Sequence, residues 1–256
     1  MEAIAIIPAR MGSSRFPGKP MSEIHGIPMI GHCYYRTKMC KDLQDVYVAT
    51  CDDEIYNYIE SIGGNAIMTL STHERATDRT AEAMIKVEAM TGNKLDIVVM
   101  VQGDEPMITP DMITNALIPF TNDNAVNVVN LMAKMESTAE FEDPNEVKVV
   151  VDKQSNAIYF SREPIPSRKK SFDNVPMLKQ VCVIPFKRDY LLKFNKMEET
   201  NLERIESIDM LRIIENGEKV HMIMSEIDTY SVDTKSDRDN VENKMIGDHL
   251  LSKYKL

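Results

Sequence analysis

Ile4-Ala5-Ile6-Ile7-Pro8-Ala9-Arg10-Met11-Gly12-Ser13-Ser14-Arg15-Phe16-Pro17-Gly18-Lys19-Pro20 decides the fold of this chain. It opens with a short, continuous apolar run, the pattern of a strand buried on both faces of a parallel sheet. The eleven residues from Arg10 to Pro20 then carry three cations, two glycines and two prolines, the composition of a loop. A buried strand running into such a loop brings backbone N–H groups and fixed positive charge to the carboxyl end of the strand. In open α/β sheets, ligands bind at that end. The ligand class that fits is a polyanion, most simply a nucleoside triphosphate.

Two common phosphate loops are excluded by spacing. A Walker A loop has four residues between its glycines and a Ser or Thr after its Lys. Here five residues separate Gly12 from Gly18, and Pro20 follows Lys19. The dinucleotide fingerprint G-x-G-x-x-G is absent.

Outward from this stretch the chain alternates helix and strand. Pro28 suits the first turn of a helix, 45–50 reads as a strand, and Cys51-Asp52-Asp53-Glu54 puts acids where a helix N-terminus favours them. That helix stops at Gly63-Gly64, and 65–69 is a third strand. Thr77 is placed to cap a helix running to about Met90. Residues 96–102 form the most apolar strand, and Pro110 opens a further helix. The β-α-β-α-β order predicts an α/β fold with a mainly parallel, doubly wound sheet. Strands are expected at 126–132, 147–151 and near 220–224, and one helix carrying Leu202, Ile205, Ile208, Leu211 and Ile214 on a single stripe. The last helix starts at Ser231-Val232-Asp233-Thr234, with Thr234 and Asp237 spaced as a capping box, and is expected to run to the C-terminus. No repeat or Gly/Ser linker divides the chain, so residues 1–256 read as a single domain. The stretch 152–200 is an excursion suited to an oligomer contact.

Composition bounds the partners. Lys+Arg 30 against Asp+Glu 40 gives a net charge of −10, which argues against a nucleic acid or an anionic membrane as the main partner. No uncharged apolar run approaches the roughly 18–20 residues of a membrane span. The chain enters its first strand at once, with no leader-like segment, and the expected location is cytoplasmic. Cys33, Cys40, Cys51 and Cys182 have no C-x-x-C spacing and no zinc-ligand pattern, so they are expected to be buried free thiols.

Two carboxylates stand out. Asp104 follows the apolar strand 96–102 on a Gly-Asp turn, where a phosphate-bound metal would sit; Mg2+ takes one or two carboxylates plus phosphates and water. Asp233 reads from local sequence as a helix cap. The five histidines show no metal spacing and no Ser-His-Asp arrangement.

The opening Ile-Ile-Pro-Ala-Arg-x-x-Ser-x-Arg-x-Pro-Gly-Lys-Pro pattern resembles that of the 3-deoxy-manno-octulosonate cytidylyltransferases (CMP-Kdo synthetases), of the nucleotide-diphospho-sugar transferase superfamily. Val101-Gln102-Gly103-Asp104-Glu105-Pro106, Val232-Asp233-Thr234 and Phe160-Ser161-Arg162 resemble further stretches of that family. The resemblance implies a Rossmann-like three-layer sandwich, homodimerisation through 152–200, and CTP and a small acidic sugar as substrates. It implies Mg2+ on Asp104 and Asp233, with Lys19, Asp104 and Asp233 catalytic. Arg10, Gly12, Ser13, Arg15 and Lys19 would hold the nucleotide, and Arg79, Gln102, Arg162, Gln180 and Asp209 the sugar side. The chain also departs from the pattern. His73-Glu74-Arg75-Ala76-Thr77-Asp78-Arg79 lacks the Ser-Gly before Thr, Gln180 replaces a His, and Met210 replaces a Gln. Those departures imply an acceptor that is either altered or differently held. A nonulosonic acid or a phosphorylated compound is the alternative acceptor, and a non-catalytic nucleotide-binding relative the alternative class.

Overall fold

The structure is a computed structural model that describes residues 1–13, 15–169, 175–227 and 229–255. Two compact units divide the chain, one of residues 1–114 and 229–256, the other of residues 115–228. In the first unit β1 (Ala3–Pro8) is buried at every position. A single 3₁₀ turn (Lys19–Met21) and the small hairpin β2 (Glu23–Ile24) and β3 (Ile27–Pro28) follow. Then come α1 (Met29–Lys38), β4 (Val46–Thr50), α2 (Asp53–Ser61) and β5 (Asn65–Met68). The helix α3 (Ala76–Thr91) leads to β6 (Ile97–Val101), and α4 (Pro110–Asn122) carries the chain into the second unit.

The strands pair in the order β6-β1-β4-β5, all parallel. β1 thus lies between two parallel neighbours and has no solvated face, which is why Ile4–Ile7 reads as an unbroken apolar run rather than an alternating one. All four strands point the same way, so the residues after Pro8, Thr50, Met68 and Val101 collect along one edge. Gly103 suits the close approach there: a Cβ at this position would lie 3.1 Å from the Pro8 carbonyl oxygen and 3.1 Å from the tip of Ile30, so a side chain would press the chain after β6 away from the end of β1.

The second unit contains β7 (Val129–Lys134), α5 (Thr138–Glu142), β8 (Lys148–Val151) and β9 (Ala157–Ser161). It continues through β10 (Leu178–Val181), β11 (Val183–Lys187), α6 (Arg188–Phe194), α7 (Asn201–Glu206), α8 (Met210–Glu215) and β12 (His221–Ser225). Its sheet has the order β12-β7-β10-β8-β9 and is antiparallel except for the β12–β7 pair. The excursion 152–200 falls within this unit, and 170–174 lie outside the described residues.

After residue 228 the chain returns to the first unit with α9 (Lys235–Lys244). Val232, Val241 and Met245 pack with Phe16, Ile24 and Met29 into one apolar cluster. The C-terminal segment is fastened by polar contacts. The Arg36 guanidinium is 1% exposed and pairs with Asp248, its Nε donates to the Tyr254 hydroxyl at 2.9 Å, and His32 Nδ1 shares that hydroxyl at 2.8 Å. Burial pushes the His32 pKa down to about 4, so the ring is neutral here.

The structure corrects four local expectations. The 202–214 stripe is not one helix: Ser207, at φ +55°, separates α7 from α8, and Ile205 is 76% exposed. The helix α3 begins at Ala76 with Arg75 in the capping position, so Thr77 is a buried position inside it. The terminal helix ends at Lys244 and gives way to a 3₁₀ turn at Leu251–Lys253. All four cysteines are free, but only Cys33 and Cys40 are buried. The Thr234–Asp237 capping box is present as expected.

Asp248 neutralises the buried Arg36 guanidinium. Removing one partner of a buried ion pair leaves an uncompensated charge, so Asp248→Ala should destabilise the protein by about 3 kcal/mol in denaturant titrations. Burial tends to raise the Asp248 pKa, yet the Arg36 guanidinium and the Leu250 and Leu251 amides hold it below the usual 3.8. A depressed folded pKa stabilises above the unfolded value. The difference between wild type and variant should therefore persist at neutral pH and fade only as pH falls below about 4.

Candidate active site

The loop after β1 is held from four sides. The Ala9 N–H extends the parallel ladder to the Ala49 carbonyl at 2.9 Å, and the Met11 N–H donates to Asp52 Oδ2 at 2.8 Å. The Ser13 and Gly18 N–H groups both donate to the Met11 carbonyl, at 2.9 and 3.2 Å, which closes the loop on itself. Phe16 is buried in the cluster with α9 and anchors the loop from below. Gly18, at φ +74°, then reverses the chain into the 3₁₀ turn that begins with Lys19.

This turn delivers the Lys19 ammonium to the Asp104 end of β6. Its Nζ donates to Asp104 Oδ2 at 2.8 Å, to the Val232 carbonyl at 2.8 Å and to Asp233 Oδ1 at 3.3 Å, which uses all three N–H bonds. Arg15 adds a second cation on Asp233 Oδ1 at 3.0 Å. The Val232 N–H donates to the Asp104 carbonyl at 3.0 Å, so the two carboxylate-bearing segments are also joined through their backbones. Burial by itself would lower the Lys19 pKa, but the facing Asp104 and Asp233 carboxylates outweigh it and the pKa is raised. Thr234 rather than Asp233 caps α9, which leaves the Asp233 carboxylate turned toward Lys19.

These groups line a cleft of about 330 Å³. Arg10, Gly12, Ser13, Arg15 and Lys19 of the loop face it, together with Arg79, Gln102, Asp104 and Asp233, so nine of the expected site residues meet in one place. Arg10 is exposed and makes no ion pair or hydrogen bond among the described residues. Gly12 has open space where a Cβ would stand. Arg79 also lines the cleft, yet it is 3% exposed; its guanidinium donates to the Thr69 hydroxyl and lies 3.5 Å from Cys51 Sγ. Glu105, by contrast, is buried and accepts from the Thr229 hydroxyl at 3.1 Å.

Three other expected residues belong to the second unit. Arg162 Nε donates to the Glu206 carbonyl at 2.7 Å and its Nη1 to the Pro144 carbonyl at 3.0 Å. Gln180 Nε2 donates to Asn130 Oδ1 at 2.5 Å, and Asp209 precedes α8 without a side-chain cap bond. Among the described residues no three His, Cys, Asp or Glu side chains gather as a metal site.

Sequence reasoning did not single out His73 and Glu74 or the Val232 carbonyl, all of which shape the cleft or hold Lys19. His73 rests on Glu82, which also takes the Leu70 N–H at 3.0 Å and the Lys86 ammonium at 2.7 Å. Burial tends to raise the Glu82 pKa, but these three donors bring it down to about 2. The H-E-R-A-T-D-R departure hid this group, because Arg75 and Ala76 line the cleft despite the changed motif.

A parallel sheet whose carboxyl edge carries a cationic loop opposite two carboxylates is the architecture of a nucleotidyltransferase. The profile of the family described as cytidylyltransferase matches residues 4–220. A 3-deoxy-manno-octulosonate cytidylyltransferase of Geobacter metallireducens is 38% identical over 255 residues, covering 96% of this chain and 98% of its own. That of Thermodesulfovibrio yellowstonii is 40% identical over 249 residues, covering 94% and 97%. The solved structure of a CMP:2-keto-3-deoxy-manno-octonic acid synthetase complexed with CTP superposes with a TM-score of 0.87 at 38% identity, covering 96% of this chain and 99% of that one. The chain belongs to the cytidylyltransferase family.

The Lys19 contacts set a pH test. A raised folded pKa stabilises the protein below the unfolded value and is lost as pH rises through the folded one. Wild type should therefore be more stable than Lys19→Met up to about pH 10.5, with the gap closing at higher pH in denaturation scans. A gap independent of pH would mean that the ammonium's charge contributes nothing to the fold.

Proposed function

We propose that this protein transfers the cytidylyl group of CTP to 3-deoxy-manno-octulosonate, forming the CMP-sugar and pyrophosphate. One observation carries the reading: Asp104 and Asp233, 129 positions apart in sequence, converge on a single cation, the Lys19 ammonium, inside a cleft that also presents Arg10 and Arg15. The relatives' names support cytidine triphosphate as the donor and the eight-carbon sugar acid as the acceptor.

In the reaction the anomeric hydroxyl of the acceptor attacks the α-phosphorus of CTP. A new phosphorus–oxygen bond forms as the bond to the bridging oxygen of pyrophosphate breaks, and the hydroxyl proton passes to solvent water. Little covalent chemistry falls to the protein, which must position the groups and stabilise charge. Arg10 and Lys19 neutralise the triphosphate and the departing pyrophosphate. The Gly12–Ser13 backbone lets phosphate oxygens approach closely, because nothing occupies the space beside Gly12. The Asp104 and Asp233 carboxylates would hold Mg2+, and their shared hold on an ammonium is the donor set that fits a hard cation. Bound there, the ion would supply Lewis-acid activation of the attacking hydroxyl. Lys19 must then leave its carboxylate partners, which frees it for the phosphates.

The acceptor is 3-deoxy-manno-octulosonate itself rather than an analogue. Gln180 donates to Asn130, and Met210 is fully buried, so two of the three departures from the family pattern serve contacts within their own unit. We expect a homodimer located in the cytoplasm.

Pyrophosphate release tests the reading directly. CTP with 3-deoxy-manno-octulosonate should turn over in Mg2+, and chelation should stop it. UTP, ATP and GTP, or analogues of the sugar, should react far more slowly. Lys19→Ala should lower kcat/KM by about 30-fold or more, the cost of a lost contact between buried charges. Asp104→Asn and Asp233→Asn should each abolish turnover, with the double variant little worse than either one. An active, folded Lys19→Ala protein would remove the triphosphate assignment.

A further inference from the structure

Asp52 occupies the N-cap of α2, a position where an aspartate ordinarily accepts the second or third amide of its own helix. Here its side chain makes no capping bond. Asp52 Oδ2 instead takes the Met11 N–H at 2.8 Å, from 41 residues away in sequence. The Asp52 N–H is itself held by the Thr50 hydroxyl at 3.1 Å, which orients the residue at the end of β4. The helix thus forgoes its cap, and the carboxylate is directed at the loop of the cleft.

The consequence follows from the ladder. Ala9 is hydrogen-bonded to Ala49, the last rung of the β1–β4 pair, and Met11 to Asp52 just beyond it. Arg10 is therefore flanked by two tethers on the same neighbouring strand end. Its own side chain is exposed at the cleft and has no partner among the described residues. Among the described residues, only its backbone is tethered. The Met11 carbonyl in turn receives the Ser13 and Gly18 amides, so the tether also sets the frame on which the rest of the loop closes.

We propose that Asp52 is a positioning residue for nucleotide binding, which replaces a missing rung of the sheet with a side-chain acceptor and thereby fixes Arg10 and the 11–18 loop. The proposal rests on the reading of this cleft as a triphosphate site. It predicts a loss of CTP affinity with little loss of turnover at saturation, because the geometry of the reacting atoms is set elsewhere, at Lys19, Asp104 and Asp233.

Three variants separate this role from a structural one. Asp52→Ser keeps a good N-cap but is too short to reach Met11. It should fold with a melting temperature at or above that of wild type, yet bind CTP about tenfold more weakly by calorimetry. KM for CTP should rise in parallel, with kcat within about threefold of wild type. Asp52→Ala should lose the same affinity, and Asp52→Asn, which keeps an oxygen acceptor, should restore most of it. Hydrogen exchange at the Met11 amide in protein without nucleotide should speed up in Asp52→Ser and Asp52→Ala and stay slow in Asp52→Asn. Wild-type affinity in folded Asp52→Ser, or an Asp52→Asn protein as weak as Asp52→Ala, overturns the proposal. If wild type itself binds no CTP, the triphosphate reading fails, and the amide exchange still decides whether Asp52 holds the loop.

Discussion

The contact on which the cleft depends is the three-way hold of Lys19 on Asp104, the Val232 carbonyl and Asp233. Two carboxylates brought together in a partly shielded cleft repel each other, and a cation between them removes that repulsion. The ammonium comes from the loop after β1, one carboxylate from the end of β6 and the other from the approach to α9. A single charge cluster therefore closes the parallel sheet against the returning C-terminal segment. The apolar cluster of Phe16, Ile24, Met29, Val241 and Met245 supplies the burial beneath it, and the Asp104–Val232 backbone bond fixes the separation of the two acids. The arrangement is stable without ligand because its charges balance. Under the proposed function a cation would replace the ammonium between the carboxylates, and a polyanion would replace the carboxylates on the ammonium.

Much of this was legible in the sequence, for reasons of period and length. A parallel strand buried on both faces is an unbroken apolar run, and Ile4–Ile7 and Ile97–Val101 show it plainly. Carboxyl-edge placement then follows from topology, so Arg10, Lys19 and Asp104 could be assigned to one edge before any coordinates. Local sequence alone favoured a cap for Asp233, since an acid before a helix start ordinarily serves as one; in the fold Thr234 takes the cap and the Asp233 carboxylate turns toward Lys19.

What stayed hidden was conformational. Nothing in Glu206-Ser207-Ile208 announces a left-handed serine, and the apolar spacing across it imitates one continuous helix. Ile205 fits the stripe on paper and is solvent-exposed in space. The role of Asp52 was hidden in another way, because the charge of an acid at a helix start already has an explanation. Its partner is 41 residues distant, and no local pattern encodes such a bond.

The arginines show how little residue type alone says about function. Arg36 is spent on Asp248 and Tyr254, Arg212 on the fully buried Glu203, and Arg162 on two backbone carbonyls. Arg79 borders the cleft, but its guanidinium is committed to the Thr69 hydroxyl and lies beside Cys51. In each case the planar fork satisfies several buried or half-buried acceptors at once, a task for which Lys is poorly shaped. Arg10 differs because it faces the cleft with its donors unspent among the described residues. A guanidinium already saturated by protein acceptors has little left to offer an incoming phosphate, whereas an unsaturated one gains its hydrogen bonds only when the anion arrives. The division between strut and ligand is therefore drawn by which acceptors the fold has already supplied; in this cleft Arg79 has its acceptors, and Arg10 has none among the described residues.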